Sequence, residues 1–137
     1  MRSFGIAVIG CGRAGRRHLE ACALHPERVR VAAVCDPDAP CREEACARYG
    51  VPKGFSAVEE LLASDGWEVA VVCTPTPLRE AVVRPLAAAG KHVLVEPPLA
   101  STLDEARRVV DACAAAGVSL AVAQNFRYHY SFHLVRH

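Results

Sequence analysis

The chain has 137 residues, of which 52% are hydrophobic and 23% are charged, and its formal net charge is +1. This length is typical of one globular domain, and the composition excludes a disordered chain and disfavours nucleic acid as the main partner. No stretch approaches the ~20 uncharged apolar residues of a membrane span and no signal-peptide h-region precedes the first apolar run, so the sequence predicts a cytoplasmic protein without a membrane partner.

Short runs rich in valine, isoleucine and alanine alternate with helix-like segments along the chain. The runs cover residues 4–9, 29–35, 69–73, 92–95 and 119–123, and a weaker one lies around 53–55. Runs that are apolar on both alternating faces are typical of strands covered on both sides, as in a parallel sheet. Because crossovers between parallel strands are right-handed, this order predicts an α/β fold with a doubly wound parallel sheet of the Rossmann type.

Two of the helical segments carry start or stop signals of different kinds. Ser56 and Glu59 have the spacing of a capping box at the start of the third helix. Thr76 and Pro77 suit the N-cap and first turn of the fourth helix. Pro85 lies inside that fourth segment, where a proline costs about 3 kcal/mol, so we expect the helix to kink or break there.

The fifth helical segment, TLDEARRVVDACAAAG, has the clearest amphipathic pattern. Thr102 and Glu105 have capping-box spacing at its start, and Gly117 ends it. Its expected buried face consists of Leu103, Ala106, Val110 and Cys113.

Seven cysteines are spread along the chain without C-x-x-C pairs. An odd number in this arrangement suits neither a disulfide framework nor a zinc ribbon. We therefore expect buried free thiols that replace alanine or valine, and no metal site.

The first strand leads into the segment GCGRAG, with glycines at positions 10, 12 and 15. In a strand, glycine loop and helix, the first glycine permits a tight turn, the second lets a pyrophosphate approach the backbone, and the third lets the helix pack on the strand. The helix N-terminal amides then favour an anion. The pattern predicts a dinucleotide loop made of Gly10, Cys11, Gly12, Arg13, Ala14 and Gly15.

Asp36 ends the second strand, about 20 residues beyond this loop, which is the spacing of a ribose-binding acid. A carboxylate here accepts hydrogen bonds from two ribose hydroxyls and repels a 2′-phosphate, so the sequence favours NAD over NADP as the cofactor. The alternative is that Asp36 only caps the helix that follows the segment CDPD.

The segment VVCTPTPLREAVVRPLAAAGKHVLVEPPLA resembles the glucose-fructose oxidoreductase, inositol dehydrogenase and rhizopine-catabolism (Gfo/Idh/MocA) family, whose fourth strand ends in Thr-Pro and whose fifth leads into Glu-Lys-Pro. The similarity extends from GIAVIGCGRAGRRH through AVCDPD, YGVP and EELLA to AVAQNFRYH. It implies that Thr74 and Pro75 lie on the cofactor side of the loop after the fourth strand and Glu96 beside the nicotinamide ribose. It also implies that Gln124 and Arg127, with Asn125, lie in the crossover segment that passes the cofactor.

The sequence departs from this family at three positions near the expected reaction site. Pro97 stands where the family has lysine, and proline supplies neither a cation nor a proton, so the catalytic residue is unknown. Arg79 replaces a family histidine and Thr76 an asparagine. An arginine stays charged at neutral pH, so Arg79 can meet a phosphate or hydroxyl but is no acid or base.

The resemblance divides the chain into a dinucleotide-binding domain, residues 1–123, and a crossover segment, residues 124–137. Relatives continue into a second α/β domain that supplies much of the substrate pocket and the oligomer interface, and we expect both to be absent here. The isolated chain is then expected to bind NADH without measurable turnover of sugars or polyols.

Three functions remain open from the sequence. The first is the NAD(P)-binding part of an oxidoreductase that transfers a hydride to or from a sugar, a polyol or a related substrate. The second is a non-catalytic nucleotide-binding module, suggested by Pro97 and the expected lack of a second domain. The third is an S-adenosylmethionine methyltransferase, against which the Thr74-Pro75 and Glu96–Pro98 motifs argue.

Three histidines near the end of the chain, His129, His133 and His137, fall four residues apart. This spacing can bind a transition metal on a helix, but a terminal segment rarely holds fixed ligand geometry. We therefore expect a polar face and no metal.

Overall fold

The computed structural model describes residues 3–128, so His129, His133 and His137 lie outside the described residues. The strands are Phe4–Ile9 (β1), Val29–Cys35 (β2), Gly54–Phe55 (β3), Val69–Val72 (β4), His92–Val95 (β5) and Leu120–Val122 (β6). The α-helices are Arg13–Ala23 (α1), Ala39–Tyr49 (α2), Val58–Leu62 (α3), Arg79–Ala88 (α4) and Leu103–Ala115 (α5), and short 3₁₀ turns cover Thr76–Leu78 and Asn125–Tyr128. Across residues 3–128 there is no helix of the length and apolarity that a bilayer crossing requires.

The six strands form one sheet in the order β3-β2-β1-β4-β5-β6, and every neighbouring pair is parallel. The chain reverses its direction of progress between β1 and β4, which are adjacent although β2 and β3 lie between them in sequence. This is the predicted doubly wound Rossmann sheet. In such sheets the ligand crevice opens at the carboxyl ends of the strands, at this switch point.

The core consists of two apolar layers on opposite faces of the sheet. Along β1, Ala7 and Ile9 belong to one layer and Ile6 and Val8 to the other, as the two-residue period of a strand requires. Helices α1 and α2 cover the second layer, and α3, α4 and α5 cover the first. Burial on both faces explains why the strand runs read as continuously apolar.

The capping box expected between Ser56 and Glu59 at the start of α3 does not form. Ala57 is the N-cap of α3, and its side chain accepts no hydrogen bond. Ser56 instead pairs with Glu60, whose carboxylate accepts from both the Ser56 amide and its hydroxyl. In α5 the expectation holds, because the Thr102 hydroxyl accepts from the Glu105 amide at 3.2 Å.

The expected break of α4 at Pro85 is also wrong, because the helix continues through the proline to Ala88. Val83, Leu86 and Ala87 are buried on either side of it, so the apolar contacts of both turns outweigh the hydrogen bond that proline removes. The start of this element was misplaced too. Thr76 and Pro77 open the 3₁₀ turn, and α4 proper begins at Arg79.

The expected buried face of α5 is correct at Cys113 and wrong at two other positions. Val109 and Cys113 are buried, whereas the side chains of Leu103 and Val110 are 66% and 48% exposed. The helix contacts α4 and lies beside the last strands of the sheet, so it buries the line of residues that faces both neighbours. The periodicity indicated a helix, but the neighbours determine which line is covered.

All seven cysteines are free, as expected. Cys11, Cys35 and Cys113 are buried, and the other four are partly exposed. The described residues contain no cluster of three histidine, cysteine or acidic side chains able to hold a metal ion.

Candidate functional site

The glycine loop follows β1 and brings helix α1 close to the strand. Gly10 has φ of +95°, and a Cβ there would lie 2.9 Å from the carbonyl carbon of Cys73. A Cβ on Gly15 would lie 3.0 Å from the carbonyl carbon of Gly10, with its oxygen closer still. Both glycines are therefore required by backbone packing alone.

Gly12 has no such packing requirement. It is the N-cap of α1 in an extended conformation, and a Cβ there would meet no described atom within 4 Å. No side chain of the described residues caps α1, whereas Asp38 caps α2 and Thr102 caps α5. The start of α1 thus has no side-chain cap within residues 3–128 and has open space at Gly12, an arrangement that suits a phosphate at a helix N-terminus.

Asp36 is held at this loop by two backbone amides. Its carboxylate accepts from the Cys11 N–H at 2.7 Å and from the Asp38 N–H at 2.9 Å. The N-cap of α2 is Asp38, which accepts from the Cys41 amide at 2.8 Å, so the interpretation of Asp36 as a helix cap is wrong. Each carboxylate oxygen of Asp36 keeps lone pairs that can accept from a ligand hydroxyl.

A cation lies directly beside this acid. Arg42 donates from Nη1 to the backbone oxygen of Asp36 at 2.6 Å. A ligand group at the Asp36 carboxylate therefore comes close to a guanidinium as well.

A crevice of about 700 Å³ opens at the switch point between β1 and β4. Its walls include Gly10, Gly12, Asp36, Thr74 and Pro75, five of the residues that the sequence predicts for the site. The sequence reasoning missed further lining residues, namely Pro37, Ser56, Val58, Leu78 and Val82. Pro37 and Ser56 lie just after strand ends, and that position was the available signal, whereas Val58, Leu78 and Val82 belong to helical segments.

Thr74 carries an unusual polar atom in this crevice. Its Oγ1 is buried and has no hydrogen-bond partner among residues 3–128. A buried hydroxyl without a partner costs about 1–3 kcal/mol. Because Thr74 lines the crevice, a bound ligand can supply the missing partner.

Arg79 is a buried cation, 5% exposed, and it lines the crevice from the start of α4. It donates from Nε to the Thr74 carbonyl at 3.1 Å and from Nη1 to the carbonyls of Glu96 and Pro98. Burial lowers the pKa of its guanidinium. Its described bonds join the loop after β4 to the loop after β5, a role that the sequence did not suggest.

Glu96 lies in a second, smaller cavity of about 290 Å³ beside α1. Its carboxylate is 2.6 Å from Nε2 of His18, and the two side chains are 26% and 22% exposed. Arg13 and Ala14 line the same cavity, together with Arg17, Ala21, Ala123 and Asn125. The sequence assigned no role to His18.

Gln124, Arg127 and Pro97 are not among the residues that line either cavity, although Ala123 and Asn125, on either side of Gln124, line the smaller one. Gln124 follows β6 and Arg127 belongs to the 3₁₀ turn after it, and both are exposed. The Arg127 guanidinium lies 5.4 Å from the ring centre of Tyr128. Pro97, in the loop after β5, precedes a cis peptide bond to Pro98.

The thiols at the crevice are not activated nucleophiles. Burial raises the pKa of Cys11 and of Cys73 to about 12, with a smaller contribution from the negative charge of Asp36 at Cys11 and of Glu96 at Cys73. A thiol reacts as the thiolate, so these side chains remain protonated and inert at neutral pH.

Residues 4–124 match the model of an oxidoreductase family with an NAD-binding Rossmann fold, designated GFO_IDH_MocA. One relative is the D-apiose dehydrogenase of Paraburkholderia graminis, which is 31% identical over 93% of this chain and 34% of its own length. Another is a D-xylose 1-dehydrogenase (NADP(+)) of Haloferax volcanii, which is 33% identical over 78% of this chain and 33% of its own length. The WlbA dehydrogenase of Bordetella pertussis, solved in complex with NADH and UDP-GlcNAcA, superposes with a TM-score of 0.93 at 32% identity over 98% of this chain and 41% of its own. The chain thus spans about a third of the length of these two curated relatives.

Proposed function

The chain belongs to the Gfo/Idh/MocA oxidoreductase family through its NAD-binding Rossmann fold, and on this basis we propose that it binds NAD(H) across the crevice between β1 and β4. The observation that carries the proposal is the bond between the Asp36 carboxylate and the Cys11 amide. It joins the ribose-binding acid to the phosphate loop in a single unit.

The residues of the crevice fit a dinucleotide. The free amides at the start of α1 and the open space above Gly12 suit the pyrophosphate, and the Asp36 carboxylate suits the adenosine ribose hydroxyls. The unpartnered hydroxyl of Thr74 supplies one further hydrogen bond to the ligand.

NAD(H) is preferred over NADP(H) in this proposal. A 2′-phosphate at Asp36 places two like charges together, which costs binding energy. Arg42 beside the same residue reduces this penalty but is engaged with the Asp36 carbonyl. The relatives do not decide the matter, since one of them is named for NADP(+).

The reaction class follows from the family and the named activities of its members. We infer a hydride transfer between the nicotinamide and a sugar, polyol or related hydroxyl or carbonyl substrate. A bound nicotinamide would supply the hydride chemistry, and the residues of the crevice would hold and orient it. Cytoplasmic location and binding of Glu96, Gln124 and Arg127 beside the cofactor stay parts of the proposal.

The proposal is tested by titrating the chain with NADH and NADPH, using the fluorescence of the reduced nicotinamide. We expect NADH to bind at least about tenfold more tightly than NADPH, which corresponds to a difference in binding free energy of about 1.4 kcal/mol. Asp36→Ala should reduce this difference in affinity between NADH and NADPH. Asp38→Ala, which changes only the cap of α2 in the same segment, should leave the difference unchanged.

The glycine loop is tested separately with Gly12→Val. The side chain enters open space in the apo chain, so circular dichroism should remain unchanged while NADH binding is lost. A folded Gly12→Val protein with unaltered NADH affinity would remove the phosphate loop from the proposal.

A further inference from the structure

The contact between His18 and Glu96 links helix α1 to the loop after β5, at the end of the sheet where the crevice opens. Nε2 of His18 and Oε1 of Glu96 are 2.6 Å apart, and both side chains are largely covered. Both also line the smaller cavity, so a ligand in that cavity can reach them.

No other histidine lines either of the two cavities described above. The arginines there stay charged, and the thiols of Cys35 and Cys73 stay protonated near neutral pH because burial raises their pKa values to about 11 and about 12. The Asp36 carboxylate lines the larger crevice and is engaged by the Cys11 and Asp38 amides. Pro97, in the loop after β5, has no ionisable side chain. Histidine is the side chain that exchanges protons readily in this range.

We propose that His18, supported by Glu96, is the proton-exchanging group of the oxidoreductase site, an inference that rests on the proposed function. Glu96 accepts from Nε2–H of the neutral ring, which leaves Nδ1 as the basic atom. Among the described residues, no hydrogen bond reaches Nδ1.

The step balances as an alcohol oxidation. The substrate C–H bond breaks and its hydrogen leaves with both electrons to the nicotinamide, while the hydroxyl proton moves to Nδ1 of His18 and the O–H electron pair completes the carbonyl. The imidazolium that forms is stabilised by the Glu96 carboxylate. In the reverse direction the same Nδ1 proton is returned to the alkoxide.

Several charges act on this pair. Arg13 and Arg17, on the same face of α1, line its cavity and disfavour the imidazolium. Glu96 opposes them. The buried Arg79 also interacts electrostatically with Glu96 and donates to its backbone carbonyl, which fixes the backbone from which the carboxylate reaches His18.

The test is the pH titration of the His18 ring by nitrogen-15 NMR in the full chain, with saturating NAD⁺ or NADH. If the pair lies beside the nicotinamide, the positive ring of NAD⁺ should lower the titration midpoint of His18 relative to NADH by about half a pH unit, as expected for a unit charge some 10 Å away in a partly solvated site. His25 is exposed beyond the far end of α1, so its midpoint should be identical in both complexes.

Two variants assign the effect. His18→Gln keeps an amide donor for Glu96 and removes the His18 signal, which assigns that signal in the spectrum. Glu96→Gln keeps a side-chain partner for His18 without the carboxylate charge, and the difference between the NAD⁺ and NADH complexes should persist in it if that difference comes from the nicotinamide charge.

Equal midpoints of His18 in the two complexes, with both cofactors bound, would show that the pair only ties α1 to the loop and would overturn the inference. A chain that binds neither cofactor fails at the proposed function itself, and that result is recognised in the same titration.

Discussion

Replacing Gly15 by alanine should destabilise the fold because the helix and the strand meet at this residue. The added Cβ would lie 3.0 Å from the carbonyl carbon of Gly10 and closer to its oxygen. These are backbone atoms, held by the bond from the Gly10 amide to the Cys35 carbonyl at 2.8 Å, so they cannot rotate away as a side chain can. The start of α1 must move outward to make room.

The cost follows from what that movement disrupts. Overpacking a well-filled site costs about 1–3 kcal/mol, and rigid backbone on both sides favours the upper part of this range. Leu19 of α1, 1% exposed, also loses part of its contact with the sheet. Since a domain of this kind is stable by only about 5–15 kcal/mol, a loss near 3 kcal/mol lowers Tm by roughly 10 °C.

Urea unfolding followed by circular dichroism measures this loss, and Gly12→Ala is the matched control. The same methyl group added at Gly12 meets no described atom within 4 Å. The free energy of unfolding of Gly12→Ala should therefore change only by the effect of an altered N-cap, under about 1 kcal/mol. If Gly15→Ala unfolds at the same urea concentration as Gly12→Ala, the close approach of α1 to β1 does not limit stability and the reasoning is refuted.

Three further changes probe the crevice from other sides. Arg79→Met leaves buried carbonyls without a donor and should lower the free energy of unfolding by about 2–4 kcal/mol in urea titrations; an unchanged midpoint would contradict the anchoring role. Thr74→Val removes a buried hydroxyl without a described partner, so we expect stability to rise by about 1 kcal/mol while NADH affinity falls; a loss of stability would mean that the hydroxyl is already paired. In the folded chain the pKa values of Cys11 and Cys35 are raised to about 12 and about 11, whereas both thiols lose their protons near pH 9 in the unfolded chain. The free energy of unfolding should therefore decline above pH 9, by about 1.4 kcal/mol per pH unit for each thiol. Urea titrations at pH 8 to 10.5 measure this decline, and Cys11→Ala should make it less steep.

The strands, the glycine turn and the position of Asp36 were predictable from the sequence because their causes are local. A strand covered on both faces must be apolar at every position, and β1, β2 and β5 have the predicted bounds. The glycine loop and Asp36 were predictable for a similar reason, since a turn, a close approach and an acid at a strand end each require a particular residue type at a fixed spacing.

The features that were missed or misjudged depend on contacts between distant segments. Pro85 indicates a broken helix until the burial of its neighbours is known. The covered face of α5 depends on where α4 lies, and the pairing of His18 with Glu96 depends on the rotation of α1 above the sheet. A single sequence carries no signal for these arrangements beyond the residue types themselves.

The loop after β5 contains Pro97 and Pro98, so it has few backbone hydrogen-bond donors of its own. Proline donates no hydrogen bond, so neighbouring elements hold this loop. His18 of α1 holds the Glu96 carboxylate, and Arg79 of α4 holds the carbonyls of Glu96 and Pro98. The same contacts place the imidazole of His18 against the carboxylate that begins this loop. The loop is therefore held by side chains from both helical layers, and in the proposed function its acid–base chemistry depends on α1, the helix that follows the glycine loop.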